Sequence, residues 1–250
     1  MKLLGEMTWT EAQAARERDA LVLVPIGSTE AHGPHLPLAT DVIISKELCR
    51  RVARALEDRD QEALVAPALS YAVTEYAGEF AGTVTVPRET AIAMVRDVSA
   101  GLHRQGFSRI VLVNSHLEPA HLDTLREAAA AARALTGKTV SFPDACSKRW
   151  ARTLTEEFKK GACHAGRYES SLVLAARPEL VRESVRGSLA PNAIDLAKAM
   201  KSGVKTFKEA GAGEAYFGDP AAATVEHGEE IYRLLVEMVL TEIAETFPAG

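Results

Sequence analysis

Residues 21–41 read LVLVPIGSTEAHGPHLPLATD, and this stretch decides the fold. Leu21 to Ile26 is an unbroken apolar run ended by Gly27, the pattern of a strand buried on both faces. Glu30, His32 and Asp41 follow, with helical apolar spacing starting at Val42, so they stand on the segment between a strand and a helix. A second stretch, RIVLVNSHLEPAH at 109–121, repeats this layout: Ile110 to Val113 is apolar, and His116 and Glu118 come directly after it. In open α/β sheets the C-terminal ends of the strands are where ligands bind. A single His–acid pair on a loop is ordinarily just solvated; two such pairs at strand ends, with a further Asp, point to a metal site. Three carboxylates and two imidazoles, from Glu30, His32, Asp41, His116 and Glu118, suit two divalent ions, Zn²⁺ or Mn²⁺, with Fe²⁺ also compatible. Asp41 is the expected bridge, since its carboxylate has two oxygens and gains from the positive end of the helix that follows.

Working outward, Thr8 to Glu11 forms a capping box opening a helix through Arg18. Helices are also expected over Val42–Leu56, Thr90–Gln105, Pro119–Leu135 and Glu226–Phe247. Further strands are expected at Leu64–Leu69, which Pro67 interrupts, and at Thr139–Phe142. Residues 71–87 read as a long loop, 148–176 as helix broken near Gly161, and 181–222 as irregular. Strands alternating with helices predict a three-layer α/β/α fold with a largely parallel central sheet. No repeat, low-complexity linker or composition break divides the 250 residues, so one domain over 1–250 is expected.

An apolar fraction of 47% and a charged fraction of 25% are ordinary for a globular chain. The net charge of −5, with no basic block, argues against nucleic acid or an anionic membrane as partner. The N-terminus lacks the features of a signal peptide, and no run reaches the length of a membrane span. The 3 cysteines are odd in number and widely spaced, which fits reduced thiols and a cytoplasmic location.

With these residues in view, PIGSTEAHGPHLPLATD resembles the first signature of the creatininase family of metal-dependent amidohydrolases. TEYAGEFAGT at 74–83, VNSHLEPAH at 113–121 and ACHAGRYESS at 162–171 resemble its later blocks in order, so the likeness runs from about Leu21 to Pro178. The resemblance implies two ions per subunit, one held by Glu30, Asp41 and His116 and the other by His32, Asp41 and Glu118. It also implies a homohexamer built as a trimer of dimers, and an attack on an amide-like carbon. Family activities include opening the creatinine ring, deformylating a formamidopyrimidine and clipping the mycofactocin precursor peptide. Tyr76 stands where relatives carry His, Ala81 where they carry Pro, and Leu117 where creatininase has an aromatic residue. These departures keep the metal set and weaken specificity for creatinine.

The function expected is hydrolysis of an amide, cyclic amide or formamide C–N bond by a metal-bound hydroxide. The alternatives are a peptidase trimming a short precursor peptide and a non-catalytic metal-binding assembly protein. His164, inside the matching block, is the expected proton donor to the leaving nitrogen, with Glu118 also catalytic. Glu169 either orients His164 or fixes a helix start. His35 is expected to support the metal loop from behind the ligands. Thr74, Glu75, Leu117 and Trp150 are candidate substrate contacts. His103, His121 and His227 are expected on helix surfaces, and Cys163 is a weak candidate nucleophile.

Overall fold

The computed structural model describes residues 2–159, 161 and 163–248. Five parallel strands form one sheet in the order β1-β3-β2-β4-β5. They are β1 (Lys2–Leu3), β2 (Leu21–Ile26), β3 (Ala63–Val65), β4 (Ile110–Asn114) and β5 (Val140–Ser141). The helices are α1 (Trp9–Glu17), α2 (Thr40–Glu57), α3 (Arg88–Arg104), α4 (Pro119–Thr136), α5 (Lys148–Ala151), α6 (Glu156–Lys159), α7 (Arg167–Ala176), α8 (Glu183–Arg186), α9 (Leu196–Lys201) and α10 (Val225–Thr246). No helix among the described residues is long and apolar enough to cross a membrane.

The run read as a strand buried on both faces is one: all six residues of β2 are buried. Alternation along it divides two cores. Leu21 and Leu23 join α2, α7 and α10 on one face, while Val22, Val24 and Ile26 join α1, α3 and α4 on the other. Three layers result, as expected from the sequence. From β2 the chain moves to β3 on one side, then crosses to β4 on the other. The ends of β2 and β4, paired in register from Val22↔Ile110 to Ile26↔Asn114, therefore flank the point where strand order reverses.

Four details differ from the sequence reading. Residues 181–222, read as irregular, hold the short helices α8 and α9. The edge strand β1 went unforeseen, because two residues carry no periodicity. The strand expected to reach Leu69 stops at Val65; Pro67 lacks the N–H a ladder needs, and only Ile26 and Leu69 pair beyond it. Helix α2 begins two residues earlier than expected, so Asp41 lies in its first turn rather than ahead of it.

Helix α10 crosses α7 at Gly228, where a Cβ would lie 2.0 Å from the Ser171 carbonyl oxygen and 2.9 Å from the Ala175 Cβ. Helix propensity alone favours Gly228→Ala by ~1 kcal/mol. Overpacking against a backbone oxygen costs about 1–3 kcal/mol or more, and no rotamer relieves it. We expect the substitution to lower Tm by roughly 2–8 °C; thermal unfolding that rises instead would show the helices are not in this contact.

Candidate metal centre

Gly27 lets the end of β2 approach the start of α2: a Cβ there would lie 2.5 Å from the Val42 nitrogen and 2.9 Å from the Asp41 Cβ. That approach brings Asp41 against the loop carrying Glu30 and His32. The same loop is tied down by the Glu30 N–H, which donates to the Leu38 carbonyl at 3.0 Å. From β4, Asn114 braces the turn that presents His116, accepting from the His116 N–H at 3.2 Å.

Asp41 sits at the middle. One carboxylate oxygen lies 3.1 Å from His116 Nδ1, and the other lies 3.3 Å from His32 Nε2. Two groups share it: Glu30, Asp41 and His116 form one, and His32, Asp41 and Glu169 form the other, each with ligand atoms within 4.8 Å of one another. A third grouping joins Glu30, His32 and His164. All these side chains are buried.

The far nitrogen of each imidazole is anchored to backbone, which aims the near one inward. His116 Nε2–H donates to the Val73 carbonyl at 2.9 Å, and His32 Nδ1–H to the Glu30 carbonyl at 3.1 Å. The carboxylates are held as well. Ser28 Oγ donates to Asp41 at 2.7 Å, Thr74 Oγ1 donates to Glu30, and the Ala165 N–H donates to Glu169 at 2.6 Å. His35, expected behind the ligands, bonds Ser170 beside Glu169 at 2.8 Å.

No Lys or Arg forms an ion pair with this cluster among the described residues. Instead, protons on imidazoles offset the acids. Burial opposes a charge on His32, but Asp41, Glu169 and Glu30 together outweigh it and raise the imidazole to about 10. His116 is likewise raised, with Glu30 overcoming its burial. Glu30 itself is held down to about 2, burial being outweighed by His116, whereas burial raises Glu169 to about 8. The donor set fits divalent cations: His32 Nε2 is buried without a hydrogen bond, 3.3–3.7 Å from oxygens of Asp41, Glu169 and Glu30.

The structure places some expected residues elsewhere. Glu118 belongs to none of the three groups; at the N-cap of α4 its oxygens accept from the Glu75 and Tyr76 N–H at 3.1 and 3.3 Å. Glu169, read as orienting His164 or fixing a helix start, takes the corner assigned to Glu118. Its bond from Ala165 does fix the start of α7, with Ala165 in a left-handed turn at φ 49°. Trp150 donates to Glu242 on α10 under the Arg149 guanidinium and does not line the cavity. Thr74 braces Glu30 and Glu75 meets Thr85, so of the four candidate contacts only Leu117 faces the cavity. His121 and His103 are buried rather than on helix surfaces; His121 stacks 4.9 Å from His116 and bonds Asn114. Burial holds the Cys163 thiol well above its ordinary value, which disfavours a thiolate nucleophile.

His164 closes the cluster. Its Nε2–H donates to the Ala31 carbonyl at 3.0 Å, leaving Nδ1 3.7 Å from Glu30. Burial first, then the charge on His32, lowers this imidazole to about 4, so it is neutral near pH 7. A cavity of about 430 Å³ opens over Glu30, Asp41, His116, Glu118, His164 and Glu169.

The geometry has counterparts among known proteins. Residues 5–243 match the creatininase family, described as creatinine amidohydrolase. The mycofactocin precursor peptide peptidase of Mycobacterium tuberculosis is 30% identical over 98% of this chain and 93% of its own. Creatinine amidohydrolase of Pseudomonas putida is 33% identical over 46% of this chain and 45% of its own. A solved structure described as "Creatininase Mn" superimposes with a TM-score of 0.75, at 25% identity and 99% coverage of both chains.

The raised groups predict a pH dependence. Folded His32 keeps a proton to about 10 against an ordinary 6.5, and folded Glu169 to about 8 against 4.5. The folded chain then binds more protons than the unfolded one, so stability is lost as pH rises. Metal-stripped protein should show Tm falling from pH 6.5 to 10, and added Zn²⁺ or Mn²⁺, which displaces those protons, should raise Tm and flatten the fall. A metal-free Tm that climbs over that range would mean the imidazoles are neutral there.

Proposed function

The chain belongs to the creatininase family of hydrolases, and from that membership we propose that it breaks an amide C–N bond at a dinuclear centre. Glu30, Asp41 and His116 would hold one divalent ion, and His32, Asp41 and Glu169 the other. The carrying observation is Asp41, whose two oxygens face two different imidazoles at 3.1 and 3.3 Å. Zn²⁺ and Mn²⁺ both suit this mixture of imidazole and carboxylate. When bound, two such ions polarise a substrate carbonyl and lower the pKa of a water molecule toward ~7.

The chain's own groups manage the protons. Neutral His164, with its Nδ1 lone pair turned to the centre, takes a proton from the attacking water and returns it to the leaving nitrogen. Burial raises the Glu118 carboxyl, and the backbone N–H groups of Glu75 and Tyr76 fix it on the cavity wall. There it faces the substrate as a second proton-handling group. The apolar cavity walls exclude bulk water, which strengthens each of these interactions.

On substrate, a peptide-like amide is favoured over a small cyclic one. The cavity of about 430 Å³ lies in the ~300–1,000 Å³ range that encloses drug-sized ligands. A whole-length relative named as a precursor peptide peptidase supports the same reading. Zn- or Mn-loaded protein should therefore hydrolyse members of a panel of lactams, formamides and short peptides, and chelation should abolish this reversibly. Elemental analysis should find two ions per chain; one ion at most, after loading with excess metal, defeats the dinuclear assignment.

His164→Ala should keep both ions and lose turnover by about 10²–10⁴. The deficit should shrink on an analogue with a better leaving nitrogen. Loss of an ion would place His164 among the ligands, and an equal deficit on both substrates would leave it an orienting role only.

A further inference from the structure

Residues 192–218 form an excursion closed at its base, where Asn192 and Gly218 exchange two backbone hydrogen bonds of 2.7 Å. No metal-binding motif reaches this excursion. It nonetheless has a small core of its own, with Leu196, Phe207, Ala212 and Phe217 buried against Ala31 of the metal loop and Ala77 of the 71–87 loop. Three backbone bonds clamp it there: the Gly33 N–H donates to the Ala215 carbonyl at 2.7 Å, the Phe207 N–H to the Tyr76 carbonyl at 2.9 Å, and the Phe217 N–H to the His164 carbonyl at 2.9 Å.

The clamp puts Phe207 against the reacting centre, its ring 4.4 Å from that of His164 and 5.4 Å from Phe217. Leu196, Met200 and Phe207 form one side of the cavity, and Leu117, Leu122 and Phe158 line it as well. The metal-binding groups are thus reached through a cavity lined mainly by apolar groups, with Asp123, Arg126 and Lys159 also on its wall. A small polar ring would leave these walls wet and unfilled, whereas an aliphatic or aromatic side chain would release that water on binding.

We propose that residues 192–218 are the specificity element of this site, with Phe207 and Met200 selecting amides that carry a bulky apolar side chain beside the scissile bond. The inference rests on the hydrolytic reading above. It adds that the preference is set by a segment separate from the metal ligands. Phe207 has a second consequence: its ring buttresses the His164 imidazole, which also lies 4.4 Å from the His32 ring.

The test uses binding rather than turnover. Glycine, leucine and phenylalanine hydroxamates share one ion-chelating head and differ in side chain. Calorimetry on the Zn-loaded chain should give leucine and phenylalanine hydroxamates Kd values at least about tenfold below that of glycine hydroxamate. Met200→Ala, at a half-buried position, and Phe207→Ala should narrow that gap to within about threefold, with ion content retained. The Met200 variant keeps the test valid if truncating the buried Phe207 harms folding. Equal affinity of the wild type for all three probes overturns the inference while leaving the metal centre intact, and so does a gap that survives both substitutions. If no probe binds the loaded chain, the hydrolytic reading falls and takes the inference with it. Graded binding without hydrolysis of any amide would uphold the specificity element and defeat the hydrolytic reading alone.

Discussion

Glu30, Asp41 and Glu169 converge, almost wholly buried, at the wall of the cavity, and no Lys or Arg forms an ion pair with them among the described residues. Gathering buried carboxylates costs several kcal/mol per charge unless something positive is supplied. Here that role falls to protons on His32 and His116, which take the places the cations would occupy. The arrangement is poised rather than settled: a divalent ion can evict a proton and bind the same oxygens and nitrogens. Every hydrogen bond around the cluster, from Ser28, Thr74, Ala165 and the Val73 and Glu30 carbonyls, keeps those donors aimed at a centre the chain cannot fill by itself.

The sheet makes this possible by bringing distant segments to one edge. Parallel pairing of β2 with β4 sets the Glu30–His32 loop beside the His116 turn. The absence of a side chain at Gly27 lets α2 start close enough for Asp41 to reach both. Contact of α7 with α2 adds Glu169 from a third segment. Rigid elements carry each ligand or lie next to it, which suits a site whose geometry must be kept within fractions of an ångström.

Much of this was legible in the sequence because its causes are local. The apolar run of β2, the Gly27 break and the acids and imidazoles after it sit within twenty-one residues. The succession of strands and helices along the chain likewise implied the three layers. Glu118 and Glu169 show where local reading ends. Both are acids near a matching His, and spacing cannot say which one turns to His32 and Asp41. That depends on the backbone at the start of α4, which hands Glu118 to the amides of the 74–76 turn, and on the packing of α7 against α2. Trp150 went to Glu242, and the 192–218 excursion showed no pattern, because its order comes from contacts with Tyr76, Ala31 and His164 rather than from periodicity. His121 failed for a related reason: its helix face is covered by the very strand end that presents His116.

The tight crossing at Gly228 ties the last long helix to the metal centre. Helix α7 carries Glu169 and packs against α10, with close contact at Ser171. During synthesis the segments bearing Glu30, His32, Asp41 and His116 leave the ribosome well before α10 exists. A nascent chain at that stage holds these acids and imidazoles in loose order. Completion of α10 packs α7 in place, so Glu169 joins His32 and Asp41 only once the last long helix has folded.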